Sequence, residues 1–335
     1  MINARLQATS VLRAVGGAAV VAAAALAGVA PLTAAAQAFP NRPVKLLVPF
    51  GPGSGTDTIA RVVAEGLSEN LRVPVVVDNR EGAGGLVGTK AAMTMPADGY
   101  TIVAISNAFL IAPQLFKAAP YDPVRDFTAL SKVAAMPMTI VVGATSPFKT
   151  MQDLIDYMKA NPGKASFATS GKGAQSQLEV EYIKQQLGLS AVDIPYKSTT
   201  AAISDTITNT VSFDMPVFPP VASNVTGGKM RALAIGAPTR LAATPDIPTC
   251  IEATGISGYV PTSWFGYVVV AGTPTDAIAR LDQGMAFAAS LSKVREKIQG
   301  VGANMAVSSA KDFSAELRAE ADKWGKLITT LNMRE

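Results

Sequence analysis

The residues of this chain that are best suited to chemistry are small and polar, and they cluster in glycine-rich turns. The first cluster precedes a predicted helix and consists of Gly51, Pro52, Gly53, Ser54, Gly55, Thr56 and Asp57. Such a turn presents main-chain N–H groups, which together with the positive end of a helix dipole bind anions. The same residues also suit an ordinary turn in which Thr56 or Asp57 caps the helix, and capping and binding can coexist.

A second cluster repeats this design after a later predicted strand. It consists of Thr169, Ser170, Gly171, Lys172, Gly173, Ala174, Gln175, Ser176 and Gln177. Ser106 and Asn107 follow another strand, where the amide could orient a carboxylate or carbonyl group. Further hydroxyls and a cation come from Lys197, Ser198 and Thr199. We predict that these clusters face one another around a small anion.

Histidine is absent from all 335 residues, which removes the commonest general base and the pivot of Ser-His and Cys-His nucleophiles. A Ser-x-x-Lys dyad occurs at Ser146/Lys149, Ser290/Lys293 and Ser308/Lys311. Three unrelated occurrences show how little this pattern specifies. Lys197 could form an imine, although pairing with an anion is the simpler interpretation. An exported hydrolase of unknown mechanism is therefore the alternative to a binding protein.

The sequence predicts no cofactor and no metal. Gly51 and Gly53 fit the first two glycines of a dinucleotide-binding turn, but Thr56 occupies the third position. The carboxylates are scattered and form no calcium-binding loop. Cys250 is the only cysteine, so no intrachain disulfide can form, and we interpret it as a small apolar filler.

The N-terminus is typical of a secretory signal peptide. Arg5 and Arg13 precede an alanine- and valine-rich run, and Ala36-Gln37-Ala38 offers a cleavage site before Phe39. A membrane anchor is the alternative, but the apolar run is shorter than the roughly 20 residues that a span needs. We predict that residues 1–38 are removed on export to the periplasm.

A net charge of +4 with no run of basic residues argues against a nucleic-acid partner.

Apolar runs rich in β-branched residues alternate with amphipathic stretches, which is typical of an α/β protein. Strands are predicted at 44–49, 73–77, 101–105, 139–142, 165–169, 192–195, 211–215, 231–235 and 265–270. Helices are predicted at 58–71, 84–94, 150–159, 176–187, 199–208, 219–226, 275–289, 292–299 and 311–327.

The last three helices have no strands between them, so we expect them to return to the first half of the fold. This gives a discontinuous first lobe of residues 39–142 and 264–335, and a second lobe of 143–263. Each lobe is predicted to be a mostly parallel sheet flanked by helices, and two crossover segments join the lobes. In such folds, ligands bind in the cleft between the lobes.

Several short motifs occur in an order that is specific to one family. They are Val48 to Asp57, Asp78 to Gly85, Ala97 to Thr101, Tyr121 to Pro123, Pro195 to Lys197, Gly228 to Ala234 and Thr262 to Gly266. Over nearly the whole chain after the leader, the sequence resembles the Bug-type (TctC-like) solute receptors of tripartite tricarboxylate transporters.

The resemblance implies a two-lobed periplasmic-binding-protein-like fold, type II-like, and a monomer that closes on a small carboxylate or dicarboxylate. It also implies that membrane permease subunits of a tripartite transporter accept the ligand, with a receptor subunit of a signalling system as the alternative. Carried over by position, the ligand-facing segments are Phe50 to Asp57, Ser106 and Asn107, Ser170 to Gln177, and Lys197 to Thr199. Thr169 and Pro216 complete the set of predicted ligand-binding residues.

Two departures from the family pattern bear on the ligand. Gln177 stands where relatives commonly have His, and Pro216 stands close to where they have Asp. Both substitutions remove side chains that could bind a polar group at one end of the ligand. The sequence therefore favours a carboxylate with a more apolar end, such as an aromatic acid.

Overall fold

A computed structural model describes residues 39–116, 119–169, 171, 173–196 and 198–334. The predicted leader at 1–38 lies outside these residues, as do Ser170 and Lys197. Within the described ranges, no helix has the length and hydropathy needed to cross a membrane.

Strands and helices alternate along most of the chain. The strands are β1 (Val44–Val48), β2 (Val75–Asn79), β3 (Thr101–Ser106), β4 (Phe127–Pro137), β5 (Thr139–Gly143), β6 (Ser166–Thr169), β7 (Val192–Pro195), β8 (Phe213–Asp214), β9 (Met230–Ile235), β10 (Thr262–Val270) and β11 (Asn304–Met305). The helices are α1 (Gly55–Leu71), α2 (Leu86–Met93), α3 (Ala108–Leu115), α4 (Met151–Ala160), α5 (Gln175–Leu187), α6 (Thr199–Ile207), α7 (Pro219–Thr226), α8 (Cys250–Thr254), α9 (Thr275–Ser290), α10 (Ser292–Gly300) and α11 (Ala310–Thr330).

The strands form two sheets, which confirms the predicted two-lobed α/β architecture. The first has the order β11-β4-β10-β3-β1-β2 and the second β7-β6-β8-β5-β9. Each sheet has a parallel half. In the first sheet β1 pairs with β2 and β3, and in the second sheet β6 pairs with β7 and β8. The other half is antiparallel, because β10 runs against β3 and β4, and β5 runs against β8 and β9. The prediction that each sheet is mostly parallel is therefore wrong, and both sheets are mixed. The chain passes from one sheet to the other between β4 and β5, and returns just before β10.

Helices cover both faces of the first sheet. Ile59, Val63 and Leu67 of α1 are fully buried and pack with Leu281 of α9 on one face. On the other face, the buried Trp264 of β10 packs with residues of α3 and α11, including Trp324. The three C-terminal helices thus belong to the first sheet, and the two-residue β11 between α10 and α11 joins its edge.

Four elements were missed by the periodicity argument, of which β11 and α8 are only two and five residues long. β4, at 11 residues, contains Ser131, Lys132 and several alanines instead of a β-branched run, so its pattern does not indicate a strand. α3 is short and carries Pro113 in its interior, which ordinarily ends a helix. The Phe109 carbonyl, which would accept from the N–H that a proline lacks, accepts the Tyr121 hydroxyl instead at 2.9 Å.

Helices α1 and α9 approach closely at Gly66, which gives a test of the packing. A Cβ at this position would lie 2.7 Å from the Ala288 Cβ. We expect Gly66→Ala to lower the free energy of unfolding by about 1–3 kcal/mol, because an added methyl overpacks the interface. Urea denaturation followed by circular dichroism measures this. At Gly300, the last residue of α10, a Cβ meets nothing within 4 Å. Gly300→Ala should stay within about 0.5 kcal/mol, and equal losses in both variants would contradict the packing.

Candidate functional site

Two adjoining cavities share the loop before α5. The first is lined by the second lobe together with Met138, and the second lies between the two lobes. The first, of about 210 Å³, is lined by Met138, Thr169, Ala174, Gln175, Ser176, Tyr196, Ser198, Thr199, Ala202, Asp214, Met215, Pro216 and Val217. The second, of about 480 Å³, is lined by Ala83, Gly84, Ser106, Asn107, Ala108, Ile111, Ala112, Leu115, Phe116, Gly173, Ala174, Gln175 and Ser263. Ala174 and Gln175 belong to both sets, so the loop before α5 is the shared wall.

The shared wall is braced from within its own lobe. The Gly173 N–H donates to the Gln177 Oε1 at 2.7 Å, and the Gln177 Nε2 donates to Asp193. The Thr169 hydroxyl donates to the other Asp193 oxygen at 2.6 Å. Gln177 therefore holds the loop in shape, and it is not among the residues that line either cavity. Its hydrogen bonds to Gly173 and Asp193 give Gln177 a structural role in this loop that does not involve contact with a ligand.

One backbone carbonyl joins the two lobes at the cavities. The Gln175 Nε2 donates to the Thr262 carbonyl at 2.8 Å, and the Asn107 Nδ2 donates to the same oxygen at 3.3 Å. The Asn107 Oδ1 accepts from the Trp264 N–H at 2.9 Å. Asn107 is nearly fully buried and its amide is largely used in holding the start of β10.

A charged cluster lies behind Asn107. Glu320 accepts from the Trp264 indole N–H at 3.0 Å and from the Asn107 Nδ2 at 3.4 Å. Burial raises the pKa of Glu320 to about 7, although the Trp264 hydrogen bond lowers it. Lys323, on the same helix, pairs with Glu179 of α5 at 3.3 Å. The pair links the C-terminal helix of the first lobe to the second lobe.

The outer wall of the larger cavity is apolar. It is formed by Ile111, Ala112 and Leu115 of α3 together with Phe116. The hydrogen bond from Tyr121 to the Phe109 carbonyl fixes this helix despite its interior proline. A ligand in this cavity can therefore bury a carbon chain or ring, with each Å² of apolar surface contributing about 25 cal/mol.

Asp214 is the carboxylate of the smaller cavity. It ends β8, is 4% exposed, and accepts at Oδ1 from the Met215 N–H at 2.7 Å. Burial raises the pKa of Asp214 to about 7, against a smaller lowering by that hydrogen bond. The departure at Pro216 does not leave this cavity without an acid, because Asp214 lines it two residues earlier.

The first glycine-rich turn is organised around its own aspartate. Asp57 accepts from the Gly53 N–H at 2.8 Å and pairs with Arg61 at 3.0 Å. Although burial opposes ionisation, these bonds and one from Asn79 hold the pKa of Asp57 below its ordinary value. Ser54 caps α1 by accepting from the Asp57 N–H. The N–H groups of Gly53, Ser54 and Asp57 are thus already satisfied within the turn.

The structure gathers part of the predicted set around the two cavities. The lining residues among them are Ser106, Asn107, Thr169, Gly173, Ala174, Gln175, Ser176, Ser198, Thr199 and Pro216. Predicted residues that line neither cavity are Phe50, Gly53, Ser54, Gly55, Thr56, Asp57 and Gly171. Ser170 and Lys197 lie outside the described residues, and the roles of all these residues stay predictions.

Sequence reasoning missed Tyr196, Asp214 and the α3 wall. A single acid at the end of a short apolar strand is a signal that could have identified Asp214, because carboxylates are rarely buried without a reason. The α3 residues carry no such signal, since they look like ordinary core. Across the described ranges, no cluster of His, Cys, Asp and Glu residues could hold a metal ion.

Comparison with known proteins gives a consistent result. Residues 59–333 match the family described as the tripartite tricarboxylate transporter family receptor. BugT of Bordetella pertussis is 32% identical over 306 residues, which cover 91% of this chain and 93% of the relative.

Solved structures agree with this match. The periplasmic binding protein BugD is 30% identical with a TM-score of 0.69, over 88% of this chain and 99% of that one. R. palustris Rpa4515, solved with adipate, is 29% identical with a TM-score of 0.71, over 87% of this chain and 98% of the other.

The buried carboxyl of Asp214 predicts a pH dependence of stability. A pKa that is raised in the folded state favours folding at low pH, and that stability is lost as pH rises through about 7. In Asp214→Asn no carboxyl has to ionise in this buried position, so the variant does not lose free energy of unfolding when the pH rises. We expect the variant to be more stable than the wild type at about pH 8, by up to about 4 kcal/mol, and similar to it near pH 4. Denaturant unfolding at several pH values measures this.

Asp126 provides a control of opposite sign. Hydrogen bonding from Arg125 lowers the pKa of Asp126, so its ionised form stabilises the fold above the unfolded pKa. Asp126→Asn should therefore lose stability at neutral pH and little in acid. A gain for Asp214→Asn that does not change with pH would show that its carboxyl does not titrate as described.

Proposed function

Because this chain belongs to the tripartite tricarboxylate transporter receptor family, we propose that it captures a small carboxylate or dicarboxylate, aromatic acids included, in the two adjoining cavities. It then delivers the acid to the membrane permease subunits of a tripartite transporter, and it catalyses no reaction. The protein acts as a monomer in the periplasm after removal of residues 1–38.

The N-terminus of α5 is the observation that carries the proposal. α5 begins at Gln175 in the shared wall, and its N-cap residue Ala174 makes no side-chain capping hydrogen bond. The first N–H groups of a helix have no partner within that helix, and the helix dipole is positive at that end. A carboxylate placed beside Ala174 would accept hydrogen bonds from these N–H groups, and no cationic side chain would be needed to bind it.

The rest of the ligand is accommodated on either side of this point. The α3 wall of the larger cavity suits an apolar chain or ring, and Ser176, Ser198 and Thr199 bring hydroxyls to the lining of the smaller cavity. The related Rpa4515 was solved with adipate, a linear dicarboxylate. An acid of that size has a hydrocarbon part to bury and polar ends to satisfy, as the pair of cavities requires.

A thermal-shift screen tests the ligand class. The panel contains succinate, adipate, citrate, benzoate and 4-hydroxybenzoate, with arabinose and putrescine as uncharged and cationic controls. A ligand at 100 times its Kd stabilises the folded state by about 2.7 kcal/mol. We expect at least one acid to raise Tm and neither control to do so, with the acid recovered unchanged by NMR. Shifts with the controls alone, or conversion of the acid to a product, would contradict the proposal.

A matched pair of variants tests the position of the carboxylate. Both Asp and Asn are favoured N-cap residues, so Ala174→Asp and Ala174→Asn should each preserve or extend α5. Only the aspartate places a negative charge beside the proposed anion. For the acid with the largest shift in the panel, isothermal titration should show a Kd at least about 10-fold weaker in Ala174→Asp than in Ala174→Asn. Equal Kd values would place the carboxylate elsewhere.

A further inference from the structure

One buried ion pair joins the two lobes outside the linings of both cavities. Lys323 of α11, in the first lobe, pairs with Glu179 of α5, in the second lobe, at 3.3 Å. The Glu179 side chain is 3% exposed and the Lys323 side chain 28%. A carboxylate buried to this degree needs a compensating charge, so the second lobe depends on a cation that the first lobe supplies.

Aromatic rings from both lobes surround the Lys323 ammonium group. Its Nζ lies 4.5 Å from the ring centroid of Tyr182 and 5.6 Å from that of Tyr259, both in the second lobe. The Trp324 ring of the first lobe lies 4.0 Å from the same atom. Ring faces attract a cation, and more strongly where water is excluded. The lysine is therefore held between the lobes by its charge, through these rings as well as through Glu179.

The ion pair lies within a stretch of chain that contacts the first lobe at several points. Ahead of α5, Gly173 lies so close to Leu115 of α3 that a Cβ at this glycine would clash with the leucine side chain. Leu178 of α5 is fully buried in the core cluster of the first lobe, which includes Trp324. Gly173 and Leu115 both line the larger cavity. If α5 moved away from α11, these two walls would separate and the cavity would open.

A second carboxyl makes the charge of the lysine more important. Burial raises the pKa of Glu320, on the same helix as Lys323, to about 7. The charge of Glu179 raises that pKa further, whereas the charge of Lys323 lowers it. Lys323 therefore compensates one acid of each lobe, since Glu320 belongs to the first lobe and Glu179 to the second. Without the lysine, the two acids would repel each other across the interface.

We propose that Lys323 is a positioning residue, which neutralises Glu179 across the lobe interface and thereby keeps the two lobes closed around the larger cavity. It acts through α5 and not on the solute, by holding the N-terminus of this helix opposite the apolar wall of α3. The inference concerns the closed conformation itself. It bears on the receptor function proposed above through affinity, because a protein that is closed for less of the time binds its solute more weakly in proportion.

Double electron–electron resonance on the solute-free protein measures the closure. Nitroxide labels are attached at Val87→Cys in the first lobe and at Val192→Cys in the second, because these two side chains are 52% and 46% exposed. The native Cys250 is fully buried and does not compete for the label. We expect Lys323→Met, which keeps an unbranched side chain but loses the charge, to shift the distribution toward longer distances than in the unsubstituted protein.

Removal of the acid as well should reverse this effect. In Lys323→Met/Glu179→Gln the buried Glu179 charge is no longer left unpaired, so the distance distribution should return to that of the wild type. Lys132→Met is the control, because Lys132 pairs with Glu316 of the same helix α11 at 2.5 Å but both residues lie in the first lobe. It should leave the distribution unchanged. Lys323→Gln replaces Lys323→Met in this comparison if the methionine variant does not fold.

Isothermal titration with the acid that gives the largest Tm shift extends the test to the site. Kd should be at least about 10-fold weaker in Lys323→Met, and within about 3-fold of the wild type in Lys132→Met and in the double variant. Three results would overturn the proposal: the same distance distribution in Lys323→Met and the wild type, no return of the distribution in the double variant, or equal Kd values in Lys323→Met and Lys132→Met. If no acid binds the wild type, the receptor function is wrong, and the distance distributions alone decide the role of Lys323.

Discussion

The carbonyl oxygen of Thr262 is the point on which the geometry of the site depends. It accepts the side-chain amide of Gln175 from one lobe and that of Asn107 from the other. Thr262 begins β10 opposite Pro137, where β4 ends and the chain leaves for the second sheet. The same few residues therefore connect the sheets and fix the shared wall of the cavities. Because buried polar groups must be paired, neither amide can turn toward a ligand without losing this connection.

Two buried carboxyls give the site its electrostatic character. Asp214 lines the smaller cavity, and Glu320 lies behind Asn107 at the larger one. Burial raises the pKa of each to about 7. Such groups cost stability in the ionised state, and shifted pKa values of this kind concentrate at functional sites. Glu320 is satisfied by Trp264 and Asn107, whereas Asp214 opens onto the cavity, so the two carboxyls serve different purposes.

Local patterns in the sequence predict much of this fold because they act over short distances. The spacing of Ile59, Val63 and Leu67 identifies the buried face of α1, and the capping box of Thr150 and Asp153 is present at the start of α4. β4 could not be recognised in this way, since its pairing with β10 and not its composition makes it a strand. The site was harder to predict than the fold, because a turn shows which donors exist and not which of them are already used. In the first turn, Asp57 accepts from the Gly53 N–H, a choice that depends on Arg61 and Asn79 holding the carboxylate in place.

A crystal structure of the protein grown with an acid that raises its Tm tests the central claim most directly. The account predicts density for the acid against Ala174 and Gln175, with its carboxylate within hydrogen-bond distance of the first N–H groups of α5 and its carbon atoms against α3. Density for the acid at a site that contacts neither Ala174 nor Gln175 would contradict it.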